Sequence, residues 1–135
     1  MRISNNRGMT LLEILIVLGI IGALMAVLGP GIMERFQKAK VNQTKVSMGI
    51  VINALNTYYT DCGKYPQTIE GLTKQDSGCS NWGPDPYIKK VPKDGWEKDF
   101  IYEGNGSTFV LRSLGKDGKE GGEGSGKDIS SEEIN

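Results

Sequence analysis

The sequence contains no histidine, and its 135 residues carry equal numbers of basic and acidic side chains, 16 of each. Without histidine the chain lacks the commonest general base, every His-based catalytic triad and every His-ligated zinc site. Its zero net charge provides no overall basic field to attract nucleic acid. Three acidic residues near Trp96 are interpreted as solvated loop charges, namely Asp94, Asp99 and Glu103. These features indicate that the chain is not an enzyme and has no nucleic-acid partner.

Cysteine is also scarce, since Cys62 and Cys79 are the only two. Their separation is not the C-x-x-C spacing of a redox pair or a zinc knuckle. Two unrelated buried thiols are one interpretation. A disulfide is the favoured one, because small exported domains are often bridged, and it implies an oxidising compartment for the domain.

The sequence has one long apolar run, Met9 to Leu28, of about twenty residues, which matches the ~30 Å hydrocarbon core of a bilayer. A secretory signal peptide is one alternative, but it expects a shorter apolar region that ends at a cleavage site. A plain membrane anchor is another, but it leaves the carboxylate of Glu13 in lipid without a partner. A cut after Gly8 would supply one, because Met9 would then carry a charged α-amine one helical turn from Glu13.

The segment "RGMTLLEI", which runs from Arg7, resembles the type III signal of type IV pilin-like proteins. In that family a membrane prepilin peptidase cuts after the glycine and N-methylates the new terminus. The resemblance implies cleavage after Gly8, methylation of Met9 and an assembly role for Glu13. The count of positive charges opposes export, because more lysines and arginines follow the apolar run than precede it. We give that count less weight, because the later cations lie on a continuing helix and the cysteines suit export.

Helical periodicity continues beyond the apolar run. The Gly29-Pro30-Gly31 segment predicts a kink or local melting, after which the helix should run to about Asp61. Residues 36–46 have few apolar side chains and are expected to be solvated or to contact other subunits. Apolar residues then recur at spacings of three or four and predict a buried stripe, which consists of Met48, Val51, Ile52, Leu55 and either Tyr58 or Tyr59.

The rest of the chain predicts a small sheet beside this helix. Residues 100–103 and 107–114 read as two strands joined by a turn at Gly104-Asn105-Gly106. Residues 68–74 suggest a short helical turn. Because an isolated hairpin is marginally stable, we expect it to pack on the helix. The predicted fold class is therefore α+β, with a long N-terminal helix packed on a small antiparallel sheet and followed by a C-terminal loop.

The glycine- and glutamate-rich tail has two interpretations. Composition alone indicates a disordered acidic tail. Asp117 and Asp128 stand at the first and last positions of a twelve-residue stretch, but Lys119 and Gly121 occupy positions where an EF-hand needs ligands. A calcium site of another type is the second interpretation, because oxygen ligands without histidine suit calcium better than zinc.

The segment "YIKKVPKDGW", followed by "SLGKDGKEGGEGSGKDI", is similar to the C-terminal half of the major pseudopilins of type II secretion systems. That family binds one calcium ion in this loop. The resemblance implies that Asp117 and Asp128 are side-chain ligands, with Leu114 and Ser130 as candidates for backbone or hydroxyl oxygens. The chain departs from the family at Gly95, where proline is usual, in its cysteine pair, and in a C-terminus without an aromatic residue.

The resemblance implies a type IV pilin-like fold in four segments, which are a leader peptide (1–8), a transmembrane and filament-core helix (9–29), an amphipathic spine (30–61) and a globular periplasmic domain (62–135). It implies a major structural subunit that polymerises into a periplasmic helical filament, the pseudopilus, which drives protein export. Expected partners are further copies, the prepilin peptidase, minor pseudopilins and the inner-membrane secretion platform. Before assembly the chain would span the inner membrane once. The alternative is a major type IV pilin that forms surface fibres for adhesion or motility.

Overall fold

The computed structural model describes residues 8–134. Within them lie one α-helix, α1 (Leu11–Cys62), and three strands, β1 (Ile101–Gly104), β2 (Phe109–Ser113) and β3 (Ile129–Ser130). Short 3₁₀ turns are found at Ile69–Leu72, Gly124–Gly126 and Ser131–Glu133. The chain divides into two compact units, with the boundary between Phe36 and Gln37.

Helix α1 is continuous for 52 residues and includes Pro30. The local melting predicted for the Gly29-Pro30-Gly31 segment is therefore wrong. Proline removes one backbone donor, and a long helix can continue past a single missing hydrogen bond. The predicted end near Asp61 is correct to within one residue, because α1 ends at Cys62.

The N-terminal unit exposes its apolar side chains. Leu11 and Val27 are 82% and 79% exposed, and most of their apolar neighbours are at least 40% exposed. This part of α1 is long and apolar enough to cross a membrane, and no residue of its most apolar stretch is buried against the rest of the chain. Apolar surface of this extent requires lipid or another protein surface to cover it.

The C-terminal unit has its own core, built on one face of α1. The predicted stripe is buried, and Tyr58 is its last member, since Tyr59 is 43% exposed. Loop and strand residues complete the core, namely Leu72, Cys79, Phe100, Leu111 and Ile129. The expected packing of the hairpin on the helix is therefore confirmed. The short helical turn expected within residues 68–74 is also present, as the 3₁₀ turn Ile69–Leu72.

The strands form an antiparallel sheet in the order β1-β2-β3. The predicted hairpin is present, with its first strand shifted by one residue and its second strand shorter than predicted. Tyr102 on β1 lies opposite Leu111 on β2. Its turn is closed by Asn105, whose Oδ1 accepts hydrogen bonds from two backbone N–H groups at 2.8 and 3.0 Å. The sequence pattern does not predict β3, because two residues inside a glycine-rich tail are too short a segment to show a period.

Asp94 is buried, and its interpretation as a solvated charge is wrong. It is only 1% exposed. Its Oδ1 accepts hydrogen bonds from the N–H groups of Trp96 and Lys98, both at 2.9 Å, and its Oδ2 accepts one from the Ser113 hydroxyl at 2.7 Å. These hydrogen bonds offset the cost of burying the carboxylate and tie the 94–98 turn to β2. The other two carboxylates of this group are exposed as expected, Asp99 and Glu103.

Gly95 brings the same turn directly onto α1. Its N–H donates to Thr44 Oγ1 at 2.8 Å, and its carbonyl accepts from Lys40 Nζ at 2.8 Å. A Cβ atom at Gly95 would overlap the backbone carbonyl of Lys40, so the close approach requires glycine. Thr44 is consequently buried and Lys40 half-buried. The expectation that residues 36–46 contact only solvent or other subunits is therefore wrong at these two positions.

We expect Gly95→Ala to destabilise the C-terminal unit by about 1–3 kcal/mol, because a clash with the helix backbone has no flexible side chain to relieve it. Gly49→Ala is the matched control, because its Cβ would lie in open space. That change should stabilise the helix by about 0.5–1 kcal/mol. Urea unfolding of a fragment that begins at Gln37 measures both variants. A Gly95→Ala fragment as stable as the wild type would contradict the close docking.

Candidate functional site

The predicted processing and assembly residues lie just before and within the first turn of α1. Gly8 and Met9 precede the helix, and Met9 is 65% exposed. Thr10 and Glu13 bond to each other, since Thr10 Oγ1 accepts from the Glu13 N–H at 3.2 Å and Glu13 Oε2 accepts from the Thr10 N–H at 3.5 Å. This is the capping box of a helix N-terminus. Residues 1–7 of the predicted leader lie outside the described residues.

The capping box gives Glu13 a structural role that is not among the predicted ones, although its T-x-x-E spacing is visible in the sequence. The bond to Thr10 satisfies a backbone donor that would otherwise have no partner at the helix start. Between residues 8 and 134, no salt bridge pairs the Glu13 carboxylate with a cation, although it lies in an apolar segment. Because glutamine serves equally well in a capping box, the cap and the charge can be separated by mutation.

Asp117 and Asp128 both contact the glycine-rich loop between β2 and β3. Asp117 Oδ1 accepts a hydrogen bond from the N–H two residues ahead at 3.0 Å, and Asp128 Oδ2 accepts one from the Gly121 N–H at 3.1 Å. The second oxygen of Asp117 faces Gly122 and Gly126, where added Cβ atoms would lie 3.0 and 3.2 Å from it. The two carboxylates therefore contact the same short stretch of backbone.

The loop fits an oxygen-coordinated cation in one specific respect. Asp128 Oδ1 is buried and has no hydrogen-bond partner within the described residues. A buried carboxylate oxygen without a donor is unfavourable, and a bound cation would compensate it. Two carboxylates alone do not hold calcium, and no cluster of three or more His, Cys, Asp or Glu side chains occurs between residues 8 and 134. Backbone carbonyls and water would have to supply the remaining oxygens, which calcium accepts.

The other two ligand candidates lie at the ends of this loop. Leu114 directly follows β2 and is half-buried. Ser130 lies in β3, and its Oγ accepts a hydrogen bond from the Glu132 N–H at 3.4 Å. The Ser130 hydroxyl is thus engaged in capping the last 3₁₀ turn. The roles of both residues as calcium ligands stay predictions.

Cys62 and Cys79 form the disulfide that the sequence favours, with their Cα atoms 5.2 Å apart. It ties the last residue of α1 to the loop that leads to the sheet. Asp76 lies within this closed loop, where its Oδ2 accepts a hydrogen bond from Tyr58 Oη of α1 at 2.7 Å and its Oδ1 accepts one from the Gly78 N–H at 2.9 Å. The loop is therefore fixed to α1 by a covalent bond and by a charge-assisted hydrogen bond.

The Tyr58–Asp76 hydrogen bond shifts the pKa of both groups. Donation from the Tyr58 hydroxyl, followed by donation from the Gly78 N–H, lowers the pKa of the Asp76 carboxyl. Burial, followed by the hydrogen bond to Asp76, raises the pKa of Tyr58. Both shifts favour a neutral tyrosine that donates to an ionised carboxylate over a wide range of pH.

Known proteins resemble this chain along most of its length. Residues 31–132 match the family model described as "Type II secretion system (T2SS), protein G", and residues 3–29 match the prokaryotic N-terminal methylation motif. The chain belongs to the type II secretion system protein G family. It is 39% identical over 137 residues to type II secretion system core protein G of Pseudomonas aeruginosa, with 96% of each chain covered. It is 35% identical to the Vibrio cholerae protein of the same name, with 95% and 92% covered.

A solved structure agrees with this membership. The crystal structure of the major pseudopilin from the type 2 secretion system of enterohaemorrhagic Escherichia coli superposes with a TM-score of 0.62 at 25% identity. The match covers 73% of this chain and 91% of that one. The predicted pilin-like fold and the resemblance to type II secretion pseudopilins are therefore confirmed, and the type IV pilin alternative is not favoured.

The lowered pKa of Asp76 makes stability depend on pH with a definite sign. The carboxylate stabilises the fold above its unfolded-state pKa of about 4, and this contribution is lost as pH falls through its lower folded-state pKa. Tyr58→Phe should therefore destabilise the C-terminal unit by about 1–3 kcal/mol at pH 7. The deficit should shrink under acid conditions. Thermal unfolding from pH 7 to pH 2 measures it, with the exposed Tyr59→Phe as control, and a deficit independent of pH would contradict the assignment.

Proposed function

We propose that this chain is the major structural subunit of a type II secretion pseudopilus and not an enzyme. The observation that carries the proposal is an N-terminal methylation motif that extends into an exposed apolar helix, in a member of the protein G family. A prepilin peptidase would cut after Gly8 and methylate Met9. The mature chains would then leave the membrane and stack their apolar helical segments into an open helical polymer that drives protein export.

The proposed location follows the division of the chain. The N-terminal apolar segment would span the inner membrane once, and the unit that begins at Gln37 would lie in the periplasm, before and after assembly. The disulfide supports this side of the membrane, because such bonds persist in oxidising compartments. The partners would be further copies of the chain, the prepilin peptidase, minor pseudopilins and the inner-membrane secretion platform.

Glu13 would make packing against another copy more favourable than staying in the membrane. Lipid tails are as apolar as leucine, so apolar packing alone hardly distinguishes a neighbouring helix from the membrane. Cleavage after Gly8 converts the Met9 amide nitrogen into a charged amine. The Glu13 carboxylate, which is unfavourable in lipid without a partner, would pair with the amine of Met9 in an adjacent copy.

Glu13→Gln should insert in the membrane and be processed, but lower the yield of sheared filaments by about tenfold or more, because the amine loses its counter-charge. Glutamine retains the capping box, so the defect would report the charge and not the cap. Thr10→Ser is the matched control, since it retains the capping hydroxyl and the charge of Glu13. Wild-type filament yield from Glu13→Gln would reject the pairing role.

Calcium is the proposed ligand of the tail loop. Asp117 and Asp128 would hold it, together with oxygens of the loop backbone and of Leu114 and Ser130. The support within this chain is the buried, partnerless Oδ1 of Asp128 and the second Asp117 oxygen that faces the glycines. The bound ion would neutralise the two carboxylates and stabilise the loop that follows β2.

The fragment that begins at Gln37 should have a higher melting temperature with calcium than with a chelator. A ligand that binds only the folded state adds about 2.7 kcal/mol when its concentration is 100 times its Kd. Asp117→Asn and Asp128→Asn should abolish the increase. Glu120→Gln should retain it, because Glu120 is an exposed carboxylate in the same loop and outside the proposed ligand set. A wild-type fragment that does not respond to calcium would refute the site without affecting the family membership.

A further inference from the structure

The side chain of Lys98 reaches from the 94–98 turn to the glycine-rich loop between β2 and β3. Its Nζ donates a hydrogen bond to the carbonyl oxygen of Lys116 at 3.1 Å. The same ammonium lies against the backbone of Gly118, where an added Cβ atom would be 2.6 Å from Nζ. These two residues flank Asp117 in the sequence, so Lys98 contacts the backbone on both sides of a proposed calcium ligand.

The backbone of Lys98 is fixed by Asp94. Its N–H donates to Asp94 Oδ1, and its carbonyl accepts a hydrogen bond from the Asp94 N–H, both at 2.9 Å. Asp94 also accepts from the Ser113 hydroxyl, whose oxygen in turn accepts from the Gly115 N–H at 3.3 Å. One buried carboxylate therefore fixes both the residue that carries the ammonium and the beginning of the loop.

Lys116 joins the two ends of the loop. Its N–H donates to the carbonyl oxygen of Ser125 at 2.9 Å, while its own carbonyl accepts from Lys98. Gly126, the neighbour of Ser125, is one of the two glycines that the second oxygen of Asp117 faces. The ammonium thus attaches to the 94–98 turn the part of the loop that sets the position of Asp117 relative to residue 126.

The ammonium bonds to the backbone of an acidic loop and not to its carboxylates. Between residues 8 and 134, no salt bridge joins Lys98 to any of the four acidic residues of this loop, which are Asp117, Glu120, Glu123 and Asp128. A lysine paired with either proposed ligand would neutralise the charge that attracts a cation. Because Lys98 bonds to a carbonyl instead, both proposed ligands stay available to calcium.

We propose that Lys98 is a positioning residue for calcium, acting through the carbonyl of Lys116. This role rests on the proposed calcium site of Asp117 and Asp128. Ordering the loop backbone before the ion binds reduces the conformational entropy lost on binding, and so raises the affinity.

The positive charge of Lys98 has the opposite effect on a nearby cation, so the two magnitudes must be compared. Loss of a residue that orients a metal ligand typically weakens metal binding by about 10- to 100-fold. One partly exposed charge, screened by salt, changes an affinity by about fivefold or less. Lys98 is half-buried and its ammonium bonds to the loop, so positioning should dominate.

Calorimetric titration of the full-length chain with calcium in detergent micelles tests this role. K98M retains the aliphatic stem but loses the ammonium, and its Kd for calcium should be about tenfold higher than that of the wild type. K98R retains the charge and the donors, and should bind within about threefold of the wild type. K119M is the matched control, because it removes the same charge from an exposed position of the loop, and it should bind calcium at least as tightly as the wild type.

Thermal unfolding with calcium and with a chelator separates positioning from a general effect on stability. A lysine that only stabilised the fold would lower both melting temperatures equally in K98M and leave the affinity unchanged, which would overturn the inference. Tighter calcium binding by K98M, most pronounced at low salt, would overturn it in favour of charge repulsion. Either result leaves the proposed calcium site standing, provided that Asp117→Asn abolishes binding. A wild-type chain that does not bind calcium would refute the site and the role of Lys98 together.

Discussion

The buried carboxylate of Asp94 and the glycine beside it hold the parts of the C-terminal unit together. Asp94 accepts hydrogen bonds from its own turn and from Ser113 on β2, while Gly95 lies against Thr44 on α1. Two adjacent residues thus connect the helix, the turn and the sheet. A unit of this size buries little apolar surface, so polar contacts have a large share in orienting the sheet. The tail loop begins directly after β2, so its position depends on these contacts as well.

Features with a short period could be predicted from the sequence. The buried stripe through Leu55 follows the 3.6-residue repeat, and the hairpin follows from two strand-like segments around a glycine-rich turn. The burial of Asp94 could not be predicted, because a lone carboxylate in a loop has the same local sequence whether it is solvated or buried. Its environment depends on Ser113, 19 residues away, and the close docking of Gly95 depends on the helix backbone at Lys40, 55 residues away.

The sequence could place the residues of the candidate site in one loop, but it could not predict their contacts. Asp117 and Asp128 could be assigned to one loop because the family pattern gives their positions. The unpartnered oxygen of Asp128 depends on how the loop folds between two strands, and β3 is too short to be recognised. At Glu13 the contact itself could be predicted, because the capping box is visible in the four residues from Thr10 to Glu13. Attention to its charge alone hides the capping role, which uses the same carboxylate as the proposed pairing with the Met9 amine.

The two units of the chain differ in how their apolar side chains are kept from water. The unit after Phe36 buries its own core. The unit before it exposes nearly all of its apolar side chains, and lipid or neighbouring helices would cover them about equally well. In the proposed assembly, the free energy of leaving the membrane for a filament would therefore be small in its apolar part. The Glu13 carboxylate, which is unfavourable in lipid and would be satisfied between copies, would then decide whether the chain assembles.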